Sequence, residues 1–320
     1  MDSCRVDRYP SPTAMVFRAS LITTLLIGAG TITASPALVS RAEVTSLSLS
    51  QVEAFKPYAL LARAAFCPPD KLKTWSCGTA CNDLSWTDVV ATNNEGDPME
   101  AGWFVGYYPE LKTIVVSNQG TDPSEIEASL TDADSYMTEL DSTLFPGVPS
   151  GVQVHNGFEM SQAKSAKAKL DAVNALIADY GPSTVTLTGL GRGGAISFLD
   201  AIYLLLHLPS SIKLKVVTHG MPRVGNQAFA NYIDSHLPGV SRITNQKDPL
   251  PILPGRFLGY HHSSGEKHII AEDDWVACAG QDNTDKQCST GDVPNIFEGR
   301  VEDNTGPYNG VYINGTACAA

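Results

Sequence analysis

The chain has 320 residues, 43% of them hydrophobic and 18% charged, which is ample for one globular domain with a sizeable core. A formal charge of -12 at pH 7 excludes the basic face that nucleic-acid binding needs and disfavours adhesion to anionic membranes. It suits a soluble secreted protein, with acidity acting as a solubility feature.

Read in chain order, the N-terminus is a targeting segment. The apolar run Leu21-Ile-Thr-Thr-Leu-Leu-Ile27 follows Arg18 and precedes the small residues Ala34, Ser35 and Ala37. This predicts a signal peptide over residues 1–37, too short for a membrane span. The polar stretch 1–14 is long for the start of a signal, and Met15 would be a more ordinary first residue. No later segment is long and apolar enough to cross a bilayer. Residues 43–320 carry no repeat, low-complexity tract or linker, and read as a single domain.

Within it, Ser50 caps a predicted helix through about Phe66, with apolar positions at Val52, Phe55, Tyr58, Leu61 and Ala65. Residues 103–108 and 113–117 flank the turn Pro109-Glu-Leu-Lys112 and predict a hairpin. An alanine-rich amphipathic helix is expected from Ser161 to Tyr180, stopped by Gly181-Pro182. A buried strand from Thr184 to Thr188 leads into a glycine-rich turn and then an apolar helix from Gly194 to Leu208. A strand from Leu214 to His219, a helix from Asn226 to Leu237 and a strand from Val240 to Asn245 complete the pattern. Such alternation predicts an α/β fold with a mostly parallel sheet covered by helices on both faces.

Seven cysteines are present, and Cys4 leaves with the signal. The remaining six are an even set, as expected of a disulfide framework. Cys77 and Cys81 lie close enough for a small loop, as do Cys278 and Cys288, which leaves Cys67 and Cys318 to join the start of the domain to its end. No histidine stands at zinc-binding spacing from these cysteines, so no metal is expected. Asn314-Gly-Thr316 is the N-glycosylation sequon, close to the C-terminus.

The glycine-rich turn, Gly189-Leu-Gly-Arg-Gly193, has the strand-to-helix setting of the G-x-S-x-G nucleophile elbow of α/β-hydrolases, but Gly191 occupies the serine position. With it stand Trp75-Ser-Cys-Gly78, Gln119-Gly-Thr-Asp-Pro123, Val154-His-Asn-Gly-Phe158, Gly220-Met-Pro-Arg-Val-Gly-Asn-Gln-Ala-Phe229, Asn245-Gln-Lys-Asp-Pro-Leu-Pro251 and Asp303-Asn-Thr-Gly-Pro-Tyr308. Through these blocks the chain resembles the secreted fungal class 3 lipases over nearly all of residues 50–318. The resemblance implies an α/β-hydrolase fold, no cofactor, and a lid-covered cleft for a fatty acyl or ester ligand, with residues 123–130 at the lid position. It also implies that Thr121 and the backbone N–H of Arg192 hold the oxyanion-donor positions, that Asp248 is the triad acid, and that Asn304 stands where the family carries its catalytic histidine.

Nucleophile and base are thus both substituted. Glycine offers no oxygen, and an amide has no basicity at neutral pH. Ser197 falls six residues past Gly191 on the predicted helix, away from the tip. His261, His262 and His268 read as turn or strand residues, and His155 as a structural hydrogen-bonder. The expectation is a catalytically inactive or severely impaired lipase-like protein. Alternatives are a working lipase or esterase by a non-standard route, a secreted interaction protein, or a decaying coding sequence.

Overall fold

The structure is a computed structural model that describes residues 43–85, 87–93, 101–120 and 136–318, all within the compact unit that begins at Arg41. The expected signal peptide, Cys4, Thr121 and the lid position 123–130 lie outside the described residues.

Chain order gives strand β1 (Val44–Ser46), then four short helices, α1 (Leu49–Glu53), α2 (Lys56–Ala64), α3 (Pro69–Lys73) and α4 (Gly78–Asn82). Strands β2 (Asp88–Thr92), β3 (Trp103–Tyr108), β4 (Thr113–Asn118), β5 (Met137–Glu139) and β6 (Gln153–His155) follow. Next come α5 (Asn156–Tyr180), β7 (Thr184–Leu190), α6 (Arg192–His207), β8 (Lys213–His219), β9 (Gly225–Asn226), α7 (Gln227–His236) and β10 (Ser241–Asn245). Strands β11 (Tyr260–His261), β12 (Glu266–Ala271) and β13 (Asp274–Cys278) and the short helix α8 (Ser289–Asp292) are the last strands and α-helix among the described residues.

Nine strands form the main sheet in the order β1-β13-β12-β10-β8-β7-β4-β3-β2. Its centre, from β12 to β4, is parallel, and the flanking pairs are antiparallel. The strand period of two sorts the side chains onto two faces. Ile114, Val116, Val185, Leu187 and Val216 join α5 and α6 in one core. Val115, Leu190 and Val217 join α1 to α4 in the other. This is an α/β-hydrolase arrangement, with the turns at the C-terminal ends of β7, β8 and β10 gathered at one edge.

Of the helix boundaries that differ from the sequence reading, those of the first helix and of the long helix have clear local causes. The expected helix from Ser50 to Phe66 is two helices, broken between Ala54 and Phe55, because Pro57 lacks the N–H to continue the first and instead opens the second. Ser48, not Ser50, is the cap, in a reciprocal pairing with Gln51. The long helix starts five residues early, at Asn156, because His155 Nδ1 accepts the Gly157 N–H at 3.1 Å and so caps the first turn. It ends at Gly181, in the left-handed conformation expected of a glycine stop. All three expected bridges are closed, Cys67–Cys318, Cys77–Cys81 and Cys278–Cys288.

Candidate active site

β7 runs into α6 through one residue, Gly191, at φ 52° and ψ -118°. L-residues rarely adopt such a conformation, and a side chain there costs on the order of 1–3 kcal/mol. The flanking glycines are required by close approach. A Cβ on Gly189 would lie 2.5 Å from the Gly193 carbonyl carbon, and one on Gly193 would overlap the Asn118 carbonyl oxygen. The sharp turn therefore packs directly against the end of β4.

The turn is tied to the neighbouring strand. The Gly191 N–H donates to the His219 carbonyl at 2.9 Å. The next carbonyl along, that of Gly220, accepts from Asn304 Nδ2, also at 2.9 Å. Asn304 Nδ2 donates in addition to Asp248 Oδ2 at 2.7 Å, and Asp248 Oδ1 accepts the Leu250 N–H at 2.9 Å. Two adjacent carbonyls at the end of β8 thus bring Gly191, Asn304 and Asp248 to one place, although they lie 57 and 113 residues apart from Gly191 in sequence. Gly220, at φ 49°, makes room: a Cβ there would run into Asn304 Nδ2 and lie 2.8 Å from Asp248 Oδ2.

The environment is dry. Asp248 is 1% exposed and Asn304 is fully buried. Burial pushes the Asp248 carboxyl up to about 8, against the downward pull of the Asn304 and Leu250 donors. Tyr308 Oη donates to the Asn304 carbonyl at 2.8 Å and so fixes the backbone of that loop. Asn304 Oδ1 has no hydrogen-bond partner among the described residues. One end of the amide is fully used and the other is idle.

Sequence reading missed two features. His219 is wholly buried beside the turn, with its ring edge-on to Tyr308 at 5.0 Å, and burial pulls it down to about 3. It is a neutral imidazole, poorly suited to accept a proton at pH 7. Behind the elbow lies a buried ionic network. Lys169 Nζ donates to Asp200 Oδ2 and Asn118 Oδ1, each at 2.7 Å, while Asn118 Nδ2 and Gln162 Nε2 donate to Asp200 at 2.9 and 3.1 Å. Ser197 belongs to this network: it accepts from Asn118 Nδ2 at 3.0 Å and lies 2.8 Å from the carbonyls of Thr188 and Gly193. Its only sequence signal is Asp200, a lone carboxylate in an otherwise apolar helix.

Arg192 opens α6 and donates through Nη2 to Ser161 Oγ at 2.8 Å. The other histidines sit in structural roles. His262 Nε2 is 2.8 Å from the Pro251 carbonyl, His268 Nδ1 is 2.8 Å from Thr244 Oγ1, and His261 lies 3.6 Å from Asp282. His155, the helix cap, stacks on Phe158, and burial lowers it to about 4. Among the described residues no cluster of His, Cys, Asp and Glu has the geometry to hold a metal, and no helix is long and apolar enough to cross a membrane.

The profile of the class 3 lipases matches residues 115–258. A secreted mono- and diacylglycerol lipase of Malassezia globosa is 31% identical over 212 residues, which cover 65% of this chain and 69% of that protein. The chain belongs to the class 3 lipase family. A secreted mono- and diacylglycerol lipase of Malassezia restricta is 28% identical over 260 residues, covering 80% of this chain and 78% of its own. Among solved structures, the lipase of Rhizopus microsporus var. chinensis matches with a TM-score of 0.73 at 26% identity, over 88% of this chain and 94% of that one. The Rhizomucor miehei lipase in its propeptide complex matches with a TM-score of 0.72 at 26% identity, over 86% and 85%.

Proposed function

We propose that this chain is a secreted lipase-like protein that does not cut esters by serine chemistry and keeps a cleft for an acyl or ester ligand. A serine hydrolase requires a nucleophile, a base to take its proton and an acid to orient the base. In this reading Gly191 stands at the nucleophile position, Asn304 at the base and Asp248 at the acid, while Thr121 and the Arg192 N–H hold the oxyanion-donor positions. The observation that carries it is the Asn304–Asp248 bond: an amide occupies the place next to the buried Asp248 carboxyl group, and an amide accepts no proton at neutral pH. In subtilisin, an unrelated enzyme, loss of the nucleophile or the base alone costs about 10⁶ in turnover. Secretion is supported by the signal-like N-terminus, the three disulfides and the secreted relatives.

The test is labelling of the purified chain by a fluorophosphonate probe, together with ester turnover and fatty-acid binding. The expected result is no labelling, turnover at background, and binding of a fluorescent fatty acid. Labelling of the wild-type chain would overturn the loss of serine chemistry. Absence of fatty-acid binding would remove the retained cleft and shift the reading to a protein that acts through its outer surface.

A further inference from the structure

The segment Ile313–Cys318 is held at both ends. Ile313 is fully buried, and its N–H donates to the Thr305 carbonyl at 2.8 Å. Thr79 Oγ1 donates to the Ala317 carbonyl at 3.2 Å. Cys318 is bridged to Cys67, 251 residues earlier in the chain. Between these anchors stands Asn314-Gly-Thr316, with Asn314 half-buried and Gly315 and Thr316 exposed. Asn314 Oδ1 accepts from the Thr316 N–H at 3.1 Å and from Thr316 Oγ1 at 2.6 Å. Both bonds use the amide oxygen, so Nδ2 is left uncommitted on an outward-facing turn.

The sequon lies six residues from the last residue of the sequence. Transfer demands a sequon that can be drawn out of the protein surface into the transferase. The three anchors forbid this once Cys67 and Cys318 have joined and Ile313 has been buried. We propose that Asn314 is an N-glycan acceptor and that it is used before the Cys67–Cys318 bridge closes, so that glycan occupancy and bridge formation compete. The co-reactant is a polyprenyl-diphosphate-linked oligosaccharide. A bond forms between Asn314 Nδ2 and the anomeric carbon, the bond from that carbon to the diphosphate oxygen breaks with its electron pair leaving on the diphosphate, and one Nδ2 proton passes to solvent. No redox change occurs. The inference rests on the secretory reading given above.

Expression of the full chain in a yeast secretory host tests it, with mass measured before and after endoglycosidase treatment. The expected result is a glycosylated fraction that loses one glycan on treatment, is absent in Asn314→Gln and in Thr316→Ala, and is below unity in the wild type. In Cys67→Ser with Cys318→Ser the glycosylated fraction rises. Protein recovered from the medium but insensitive to the enzyme overturns Asn314 as an acceptor. Equal occupancy with and without the two cysteines overturns the competition. Failure of the secretory reading itself shows differently: the chain stays in the cytosol, exposed to added protease in permeabilised cells.

Discussion

Asn304 Nδ2 and Asp248 Oδ2 are 2.7 Å apart in a site closed to water, and the same Nδ2 serves the Gly220 carbonyl. A single NH₂ group therefore satisfies both acceptors. Replacing Asn304 by Ala leaves the carboxyl oxygen and the carbonyl without that donor. The expected cost is about 1–3 kcal/mol of unfolding free energy, read from urea denaturation. An unchanged midpoint would show that water replaces the amide at no cost.

The pH dependence of stability follows from the same pair. The folded-state Asp248 is raised from 3.8 to about 8, so between these values the folded chain holds a proton that the unfolded chain has released. Its contribution is full below about pH 4 and is lost as pH rises to about 8. His155 and His219, lowered to about 4 and about 3, act in the opposite sense: their contribution is full above about 6.5 and is lost as pH falls through those values. Above pH 6.5 only the Asp248 effect remains of these three. Stability is expected to fall from pH 6.5 to 8 at up to ~1.4 kcal/mol per unit, and Asp248→Asn is expected to flatten that limb. A limb of equal slope in Asp248→Asn would assign the loss to another group.

Gly191→Ser places a Cβ on a residue with φ 52°. The expected destabilisation is about 1–3 kcal/mol, visible as a lower melting temperature with the fold retained by circular dichroism. A stabilised Gly191→Ser would show that the turn imposes no such strain.

The network behind the elbow carries a sharper energetic signature. Lys169 is 1% exposed and Asp200 fully buried, so removing either partner strands a charge. Lys169→Met and Asp200→Leu are each expected to cost about 3–5 kcal/mol, and the double variant much less than their sum. Additive costs in the double-mutant cycle would mean that the two side chains act independently.

Much of the frame was legible in the sequence, because strand-length segments such as Thr184–Leu190 and Lys213–His219 alternate with helix-length ones, and the elbow glycines are fixed by contact. Gly193, against the Asn118 carbonyl, admits no other residue, so the pattern survives without the serine. Asp248 and Asn304 were legible only through the motifs around them, since nothing local joins two residues 56 positions apart. The Lys169–Asp200 pairing was illegible: Asp200 stands out as a lone carboxylate in an apolar helix, but nothing local names Lys169 as its partner, and only the crossing of α5 over α6 buries them together. The first helix was misread because an apolar period continued across Pro57, where the missing N–H breaks the hydrogen-bond ladder.

The proposed function requires a scaffold in which only the reacting groups are replaced. The most direct measurement compares fluorophosphonate labelling and ester turnover of the wild-type chain with those of Gly191→Ser plus Asn304→His, with and without Arg192→Leu, each checked for folding. No labelling of the wild type is expected, and labelling with measurable turnover is expected in the restored chain. A labelled wild type, or a folded triple variant that neither labels nor turns over ester, would contradict the proposed function.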